Sequence, residues 1–556
     1  MLKIAGGLAA AVAALSAAPV TAAAPARSSF ETCDGYPVPG KKRDGIVSGA
    51  WLFGLASRTA DFRRDQFAIG AAAAQACDTA LADPALEQRY WLRRANLLQA
   101  KALHLIASKK PEAAIAALAM SDAAAPQGEA LFRDSIGLGN RALRAMALYD
   151  LNKAAEARGE LDAIETARPY STGLRALGRS IRLLHDGDID TTFQLLRRAA
   201  PQDPAMLNPM FRMAMLYARF DEAVPLHGQI SHVLPRSRGA WQIEGMDDYA
   251  YKVVGERAEL GGAMAYALTA QGKREAAAAM MKKARADVAA SLYPPVPNSD
   301  GYVGKQSHKD YERRVEEGKQ AVAALDAWQK ALAIRSAAPD SGWMELAEKL
   351  PKELPREAPM MVDLILQAKA TTEEERSVRA AAAAELLKII DEGRRKELSL
   401  KYSQLAEMLP RPETAKSKPS YRKAGDGIIM DDSNGFFVKR QENSDEMTVG
   451  YGSGTASPAM VEELGMLAAA VKTRDAGKDS FLIQSRLMMQ RTVNTVAYGS
   501  VTSSVPTGYE VRLRIVPVSA KALPKDLEPS RWRLIDANEV YTRLYPKYAP
   551  TPQPKG

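Results

Sequence analysis

The sequence predicts a mainly α-helical protein in which a solenoid of antiparallel helix pairs is followed by a small α+β domain with an antiparallel sheet. Three observations lead to this fold class. A helix-turn-helix pattern is written twice between Leu143 and Pro204, apolar residues recur at spacings of three and four over most of the chain up to residue 410, and short β-like runs follow residue 426. With 556 residues, the chain is too long for a single hydrophobic core.

The N-terminus has the pattern of a secretory signal peptide, which we assign to residues 1–26. Lys3 gives a basic start, residues 4–20 form an apolar, alanine-rich core, and residues 24–26 supply the small side chains of a cleavage site. We therefore expect the mature protein to be periplasmic or secreted. An uncleaved membrane anchor is the alternative, but the apolar run is short for a membrane span. No long apolar run follows residue 26, so we predict no integral membrane span after signal removal.

Residues 27–58 contain prolines, glycines and Cys33 without a sustained period, and we interpret them as an irregular N-terminal cap. In an oxidising compartment, Cys33 and Cys77 are expected to form a disulfide bond that ties the cap to the first helices. Closing a loop of this length stabilises the fold by about 4 kcal/mol in the chain-entropy treatment. The alternative is a free Cys77 that packs as a small core residue in its alanine-rich stretch.

Helix pairs are predicted over residues 59–292. Periodic apolar residues indicate helices at 61–81 and 89–106, and Pro111 suits the first turn of the next helix. The apolar residues from Ala102 to Leu118 form a weaker, earlier copy of the duplicated pattern.

The duplicated pattern itself has the period of a helix-pair solenoid. Its two copies close at Pro169 and Pro204, a separation of 35 residues. A third copy is predicted at 213–235, where Pro225 inside the second helix is expected to cause a local kink. The insert at 236–257 interrupts the period before a fourth copy.

These helix pairs resemble tetratricopeptide repeats, in which small residues let the two helices of a pair cross closely and bulky apolar residues fill the gaps. The small residues are paired as Ala145 with Ala157, Ser180 with Thr192, and Ala265 with Ala277. The bulky residues are paired as Leu148 with Leu161, Leu183 with Leu196, and Leu268 with Met281. The family's tryptophan is absent from every copy, and Phe211 stands where a small residue is expected.

The resemblance implies a concave, peptide-binding groove lined by the first helices of successive pairs. The predicted groove residues are Met146, Tyr149, Asp150, Ile181, His185, Asn208, Arg212, Met215 and Tyr266. Only Asn208 and Arg212 could donate to a carboxylate, which argues against the grip on a terminal carboxylate that some members of this family use. We therefore expect a protein or peptide partner held by apolar pockets. The alternative is that many of these residues are inter-repeat core.

A loop rich in proline and glycine is predicted at 293–308, followed by a further helical region at 309–410. Its helical runs are 310–334, 343–350, 359–366 and 372–409. The sequence leaves open whether these helices continue the solenoid. Residues 411–426, rich in proline, lysine and serine, are interpreted as a basic linker.

Residues 427–549 have the pattern of a C-terminal α+β domain, and residues 550–556 form a tail. Strands are predicted at 427–430, 435–440, 446–451, 480–485, 491–501 and 508–518. A capped helix is predicted at 457–473 and a terminal helix at 537–545, so a helix should pack on an antiparallel sheet. This layout is similar to small terminal domains of uncharacterised bacterial envelope proteins, a resemblance that carries no known active residues.

The sequence contains no catalytic, cofactor-binding or metal-site motif that we recognise. His227 and His232 are five residues apart and would not share one helical face. Residues 450–454 are not a nucleophile elbow, because Tyr451 stands two residues before Ser453, where that motif requires glycine. The formal net charge of +9 is spread along the chain, which argues against nucleic-acid binding.

The sequence therefore predicts an exported, non-catalytic scaffold that binds a protein or peptide partner in the cell envelope. One alternative is a cell-wall-binding protein or secreted enzyme with its site in the C-terminal domain. Another is an assembly factor of the envelope. The oligomeric state is left open.

Overall fold

The computed structural model describes residues 27–549 except for 42, 47–48, 52–55, 59–68, 234–246, 293, 295–299, 303, 338–344, 346–359, 399–400, 415–417, 426–433, 442–443 and 498–499. Several predictions lie outside the described residues. They are the signal peptide, the tail, the strand at 427–430, and the helix at 343–350 apart from Glu345. The described chain is mainly helical, with a small C-terminal antiparallel sheet.

The N-terminal cap is more regular than the sequence predicted. Helix α1 (Ser29–Asp34) begins with a capping box in which Ser28 and Glu31 satisfy each other's backbone N–H groups. Strands β1 (Gly49–Trp51) and β2 (Ala56–Arg58) pair antiparallel. The helix and the two strands are each too short to produce a recognisable periodic pattern in the sequence.

A disulfide bond and buried polar contacts tie the cap to the helices that follow. Cys33 and Cys77 form the predicted disulfide bond, which joins α1 to α2 (Ala71–Ala82). The guanidinium of Arg93 donates to the Asp34 carboxylate at 2.9 Å, and both side chains are buried. Burial raises the pKa of Asp34 in spite of this positive charge. The cap is therefore part of the folded core.

The helices of the repeat region follow in the predicted order. They are α3 (Trp91–Ala107), α4 (Pro111–Ala124), α5 (Ala130–Arg133), α6 (Ile136–Asp150), α7 (Ala154–Ala167), α8 (Thr172–His185), α9 (Ile189–Ala199), α10 (Leu207–Leu216), α11 (Phe220–Val233), α12 (Asp247–Ala270) and α13 (Arg274–Ser291). Pro225 lies inside α11, as predicted. The region interpreted as an insert, 236–257, is partly helical, because α12 begins at Asp247.

Four helix pairs are closed by the same turn. Between α3 and α4, α6 and α7, α10 and α11, and α12 and α13, one residue has left-handed backbone angles: Lys109, Asn152, Ala218 and Gly272. The residue after it donates its backbone N–H to the last turn of the first helix, over 2.7–2.9 Å. The pair α8 and α9 differs, because Asp188 caps α9 with its side chain.

The predicted contacts within the pairs are buried. The bulky residues are no more than 7% exposed, and the small residues are no more than 3% exposed apart from the half-buried Ser180. Gly261 in α12 lies so close to α13 that a Cβ there would approach the Ala284 Cβ to 2.7 Å. Small residues thus allow close helix crossing, as the resemblance implied. The arrangement of successive pairs as a tetratricopeptide solenoid stays a prediction.

The helical region after the loop differs from the prediction in two places. Its helices are α14 (Lys305–Ala337), α15 (Met361–Gln367), α16 (Glu373–Leu398) and α17 (Tyr402–Met408). Helix α14 begins inside the stretch predicted as loop to residue 308. The run predicted as one helix at 372–409 forms two, and α17 carries Leu405 into the core of the repeat region, where it is 0% exposed.

The described residues of the predicted linker, 411–414 and 418–425, contact the C-terminal domain instead of forming a solvated linker. The backbone N–H of Tyr421 donates to the Tyr548 carbonyl at 2.8 Å, and Lys423 forms a parallel bridge with Phe436. Glu413 is 3% exposed and Tyr421 is 9% exposed. Proline and lysine suit an extended segment at a sheet edge as well as a linker, so composition alone could not separate the two.

The C-terminal sheet has five strands in the order β3-β4-β6-β5-β7, with antiparallel pairing throughout. The strands are β3 (Gly435–Arg440), β4 (Met447–Ser453), β5 (Ser480–Ala497), β6 (Ser500–Val518) and β7 (Ile535–Asp536). Three strands were predicted from residue 480 onwards, whereas the structure has two long ones, β5 and β6. Bulges in β5, such as that between Ile483 and Ser485, break the alternating pattern of the sequence without ending the strand.

Helices α18 (Pro458–Asp475) and α19 (Ala537–Tyr548) pack together on one face of this sheet. The core between them is apolar and includes Leu464, Phe481 and Leu513, each 0% exposed. Gly465 lets α18 approach β6, since a Cβ there would meet the Val511 side chain at 2.3 Å. The first turns of α18 contact α8, and this contact joins the domain to the repeat region.

Candidate functional site

Most residues of the predicted groove are buried core, which corrects the prediction of an open surface. Exposure falls to 7% for Met146, 8% for Tyr149 and 0% for Ile181. Met215 and Tyr266 are 1% and 0% exposed. Asp150 and Asn208 are half-buried, and only His185 and Arg212 are exposed. The interpretation of these residues as inter-repeat core therefore describes most of the set.

The chain itself covers the face on which these residues lie. Residues 361–409, here called the covering segment, comprise α15, α16 and α17. Helix α17 contacts α3 and α8, and its Leu405 belongs to the same apolar cluster as Met146 and Ile181. Helix α16 contacts α8, and its Asp391 accepts a hydrogen bond from the Tyr217 hydroxyl at the end of α10.

The covering segment is also held by a buried carboxylate. Asp363 in α15 is 3% exposed and accepts from the Tyr266 hydroxyl at 2.7 Å and from the Arg335 guanidinium at 2.8 Å. Burial, with the negative charge of Asp363 beside it, raises the pKa of Tyr266. Tyr266 is therefore an anchor for a segment of its own chain.

Two predicted groove residues form a stacked pair at the end of α6 and α8. The rings of Tyr149 and His185 are 4.3 Å apart and 3° from parallel. The Tyr149 hydroxyl donates to Asp186 at 2.5 Å, and Arg158 donates to both oxygens of Asp186 at 2.8 Å. The hydrogen bonds from Arg158 lower the pKa of Asp186. The cluster is therefore satisfied internally and holds α6, α7 and α8 together.

A cluster of buried charges, which the sequence did not predict, joins the repeat region to the C-terminal domain. We call Arg168, Glu413, Glu462 and Glu463 the charged junction. Arg168, which follows α7, is 0% exposed and donates to both oxygens of Glu463 in α18 at 2.8 and 2.9 Å. It also donates to Glu413 at 2.7 Å. One arginine thus binds two carboxylates from distant parts of the chain.

The electrostatics of the charged junction follow from burial and pairing. Burial by itself would lower the pKa of Arg168, but the two carboxylates outweigh it and raise that pKa. Burial would raise the pKa of Glu463, but Arg168 outweighs it and the pKa is lowered. Burial dominates at Glu413, whose pKa is raised. The Tyr548 hydroxyl also donates to Glu463.

Glu462 docks on the N-terminus of α8. Its carboxylate accepts from the Ser171 and Thr172 hydroxyls at 2.7 and 2.6 Å, and from the Gly173 backbone N–H at 3.2 Å. Arg486 in β5 donates to it from the other side at 2.6 Å. An anion is stabilised at a helix N-terminus by free N–H groups and by the helix dipole. Both oxygens of Glu462 are engaged, so the contact is a docking device rather than a free acid or base.

The sequence carried only a weak signal of this junction. Arg168 precedes Pro169, which closes the first copy of the duplicated pattern, and Glu462-Glu463 lies in the predicted helix at 457–473. A double acidic residue in the first turns of a helix is ordinarily a solvated helix-dipole partner. Only the fold shows that both side chains point into protein.

Within the described residues, no group of three or more His, Cys, Asp or Glu side chains could hold a metal ion. None of the helices described is long and apolar enough to cross a membrane. Comparison with known protein families, curated proteins and solved structures finds no match to the chain.

Proposed function

We propose that this protein is an exported, non-catalytic scaffold that binds a protein or peptide partner in the cell envelope. The observation that carries the proposal is the covering segment. The first helices of the pairs, tetratricopeptide-like in this proposal, hold a helix of the same chain through apolar side chains such as Leu405. A helical partner held in a helical groove is a common mode of peptide recognition.

The partner-binding surface is then the outer side of the covering segment. Leu366, Val378 and Ile389 are large apolar residues that are 42%, 48% and 53% exposed. Val378 and Ile389 are eleven residues apart on α16, which is about three helical turns and places them on one face. Apolar side chains on one exposed helical face are typical of a protein-binding surface.

Replacing this face tests the proposal. Crosslinking and pull-down from an envelope fraction should recover a partner with the wild-type protein. Val378→Asp combined with Ile389→Asp should reduce recovery at least about tenfold, because a charge buried in an apolar contact removes more than 1.4 kcal/mol of binding. Both residues are exposed, so the fold should be retained, which circular dichroism can verify.

Met120→Asp is the matched control. Met120 is a large apolar residue, 60% exposed, on α4 and outside the covering segment. It should leave recovery unchanged. Equal recovery with the control and the double variant would refute the role of this face. Tyr149→Ala and Met215→Ala are unsuitable for this purpose, since both residues are core and their loss would unfold the protein locally.

A further inference from the structure

The C-terminal domain carries a surface concavity that the proposed function does not use. It lies where the end of α18, helix α19 and the extended residues before β3 meet. Its lining residues are Tyr421, Val471, Arg474, Asp475, Tyr541 and Tyr545. We call it the tyrosine pocket. It is separate from the covering segment and from the charged junction.

Ring contacts hold the walls of the tyrosine pocket rigid. Tyr541 and Tyr545, one turn apart on α19, stack with centroids 4.7 Å apart. The Arg474 guanidinium lies 4.0 Å from the Tyr541 centroid, and Tyr421 stacks on Phe436 at 4.8 Å. Aromatic walls fixed by their neighbours bind a ligand at little cost in side-chain entropy.

The Tyr421 hydroxyl is the polar group that these contacts leave unsatisfied. Tyr421 is 9% exposed, and its hydroxyl is buried and makes no hydrogen bond within the described part of the chain. Burial, with the negative charge of Asp475 nearby, raises the pKa of this hydroxyl, so it stays a donor. A buried hydroxyl without a partner destabilises the free protein. A ligand that offers an oxygen there removes that penalty.

The charges of the pocket favour a neutral ligand. Asp475 is already paired with Lys472 at 2.7 Å, and Arg474 is held over the Tyr541 ring. The pocket lining therefore carries one positive and one negative group, and this balance favours neither an anion nor a cation. A sugar ring fits all three features, because its C–H faces pack on aromatic side chains while its hydroxyls exchange hydrogen bonds with a phenol, a carboxylate and a guanidinium.

We propose that the tyrosine pocket binds a neutral pyranose ring of a glycan, with the Tyr421 hydroxyl as a hydrogen-bond donor to it. The inference is independent of the protein-binding proposal, because it involves neither Val378 nor Ile389. Glycans with and without N-acetyl groups share this ring chemistry, so the test includes both.

Binding is measured on the full chain by saturation-transfer NMR and calorimetry with tetra-N-acetylchitotetraose, cellotetraose and maltotetraose. We expect at least one to bind, and Tyr421→Phe to weaken its affinity at least about fivefold. Binding of chitotetraose alone would assign the site to N-acetylated wall glycan, and binding of cellotetraose or maltotetraose to plain glucans. Tyr302→Phe, at a tyrosine that is 65% exposed outside the pocket, is the control and should bind like the wild type.

Thermal stability without glycan distinguishes ligand binding from a structural role of the hydroxyl. Tyr421→Phe should melt at the same temperature as the wild type or higher, because it removes an unpaired buried hydroxyl and keeps the ring stacked on Phe436. A lower melting temperature would show that the hydroxyl serves the fold. That result, or the absence of binding by all three glycans, would overturn the proposal.

Discussion

Burial shifts the pKa of two residues of this protein, His227 and Arg533, in the direction that disfavours their charged forms. Burial lowers the pKa of His227 to about 4, and the positive charge of Lys283 adds to the effect. Burial likewise lowers the pKa of Arg533 to about 10, and within the described residues its guanidinium donates to a carbonyl, that of Ile483, at 2.6 Å. His227 is therefore neutral near pH 7, whereas Arg533 keeps its charge at a cost.

The pKa of His227 predicts a loss of stability in mild acid. The unfolded chain takes up this proton near pH 6.5, whereas the folded protein takes it up only near pH 4. Between these values the unfolded state binds more protons, so the free energy of unfolding falls as the pH is lowered, by about 3 kcal/mol at most from this residue. Urea unfolding from pH 7.5 to 4.5 measures it.

His227→Gln should flatten this pH dependence, since glutamine does not titrate. His308→Gln is the control, because His308 is exposed, and it should leave the dependence as in the wild type. Parallel curves for the wild type and His227→Gln would contradict the assignment of the effect to His227.

At the scale of elements, the four identical turns are the clearest repeated feature of the helix pairs. Each left-handed residue is followed by a basic one, namely Lys110, Lys153, Arg219 and Lys273. These basic residues are visible in the sequence. Because the turns are unevenly spaced along the chain, the repeat period predicts the helix pairs but not the turns.

Replacing Gly272 tests whether the turn between α12 and α13 requires left-handed backbone angles. Its φ is +78°, and no atom would block a Cβ, so Gly272→Ala should cost about 1 kcal/mol through backbone strain alone. Gly159→Ala is the matched control, because Gly159 lies inside α7 with open space around it and should gain about 0.5–1 kcal/mol in a helix. Thermal unfolding compares the two variants. Shifts of the same sign would show that the left-handed angle is not required.

Elements that depend on local pattern were predictable, and those that depend on remote partners were not. The capped helix α18 and strands β3 and β4 lie within two residues of their predicted bounds. The long strands β5 and β6 were fragmented in the prediction because their bulges disturb the alternation. The segment around Tyr421 and Lys423 was predicted as a linker, because an extended segment at a sheet edge and a linker have the same composition.

At the scale of the whole molecule, the repeat region and the C-terminal domain are joined by contacts that no local pattern reveals. Arg168 and Glu463 are 295 residues apart in the sequence. The prediction of an open groove was wrong for most of its residues, because their residue types suit a buried core as well as a binding surface. Only the position of the covering segment decides between them.

Removal of Arg168 should weaken the whole molecule. Arg168→Ala would leave Glu413 buried without its cation and Glu463 with only Lys547, 3.3 Å away, which costs about 3–5 kcal/mol. The midpoint of urea unfolding, followed by circular dichroism, measures this. Arg141→Ala is the control, because the Arg141 side chain in its ion pair with Glu160 is 45% exposed and should contribute less than about 1 kcal/mol. Equal midpoints for the two variants would show that the charged junction does not hold the two parts together.

The covering segment also has a consequence for how the protein is made. Synthesis begins at the N-terminus, so α3, α6 and α8 are complete before residues 361–409 exist to cover them. During that interval their apolar face is open to aggregation. Docking then requires closure of a very long loop, which slows folding. We therefore expect a chaperone that holds the early helices until α17 is made to raise the yield of folded protein.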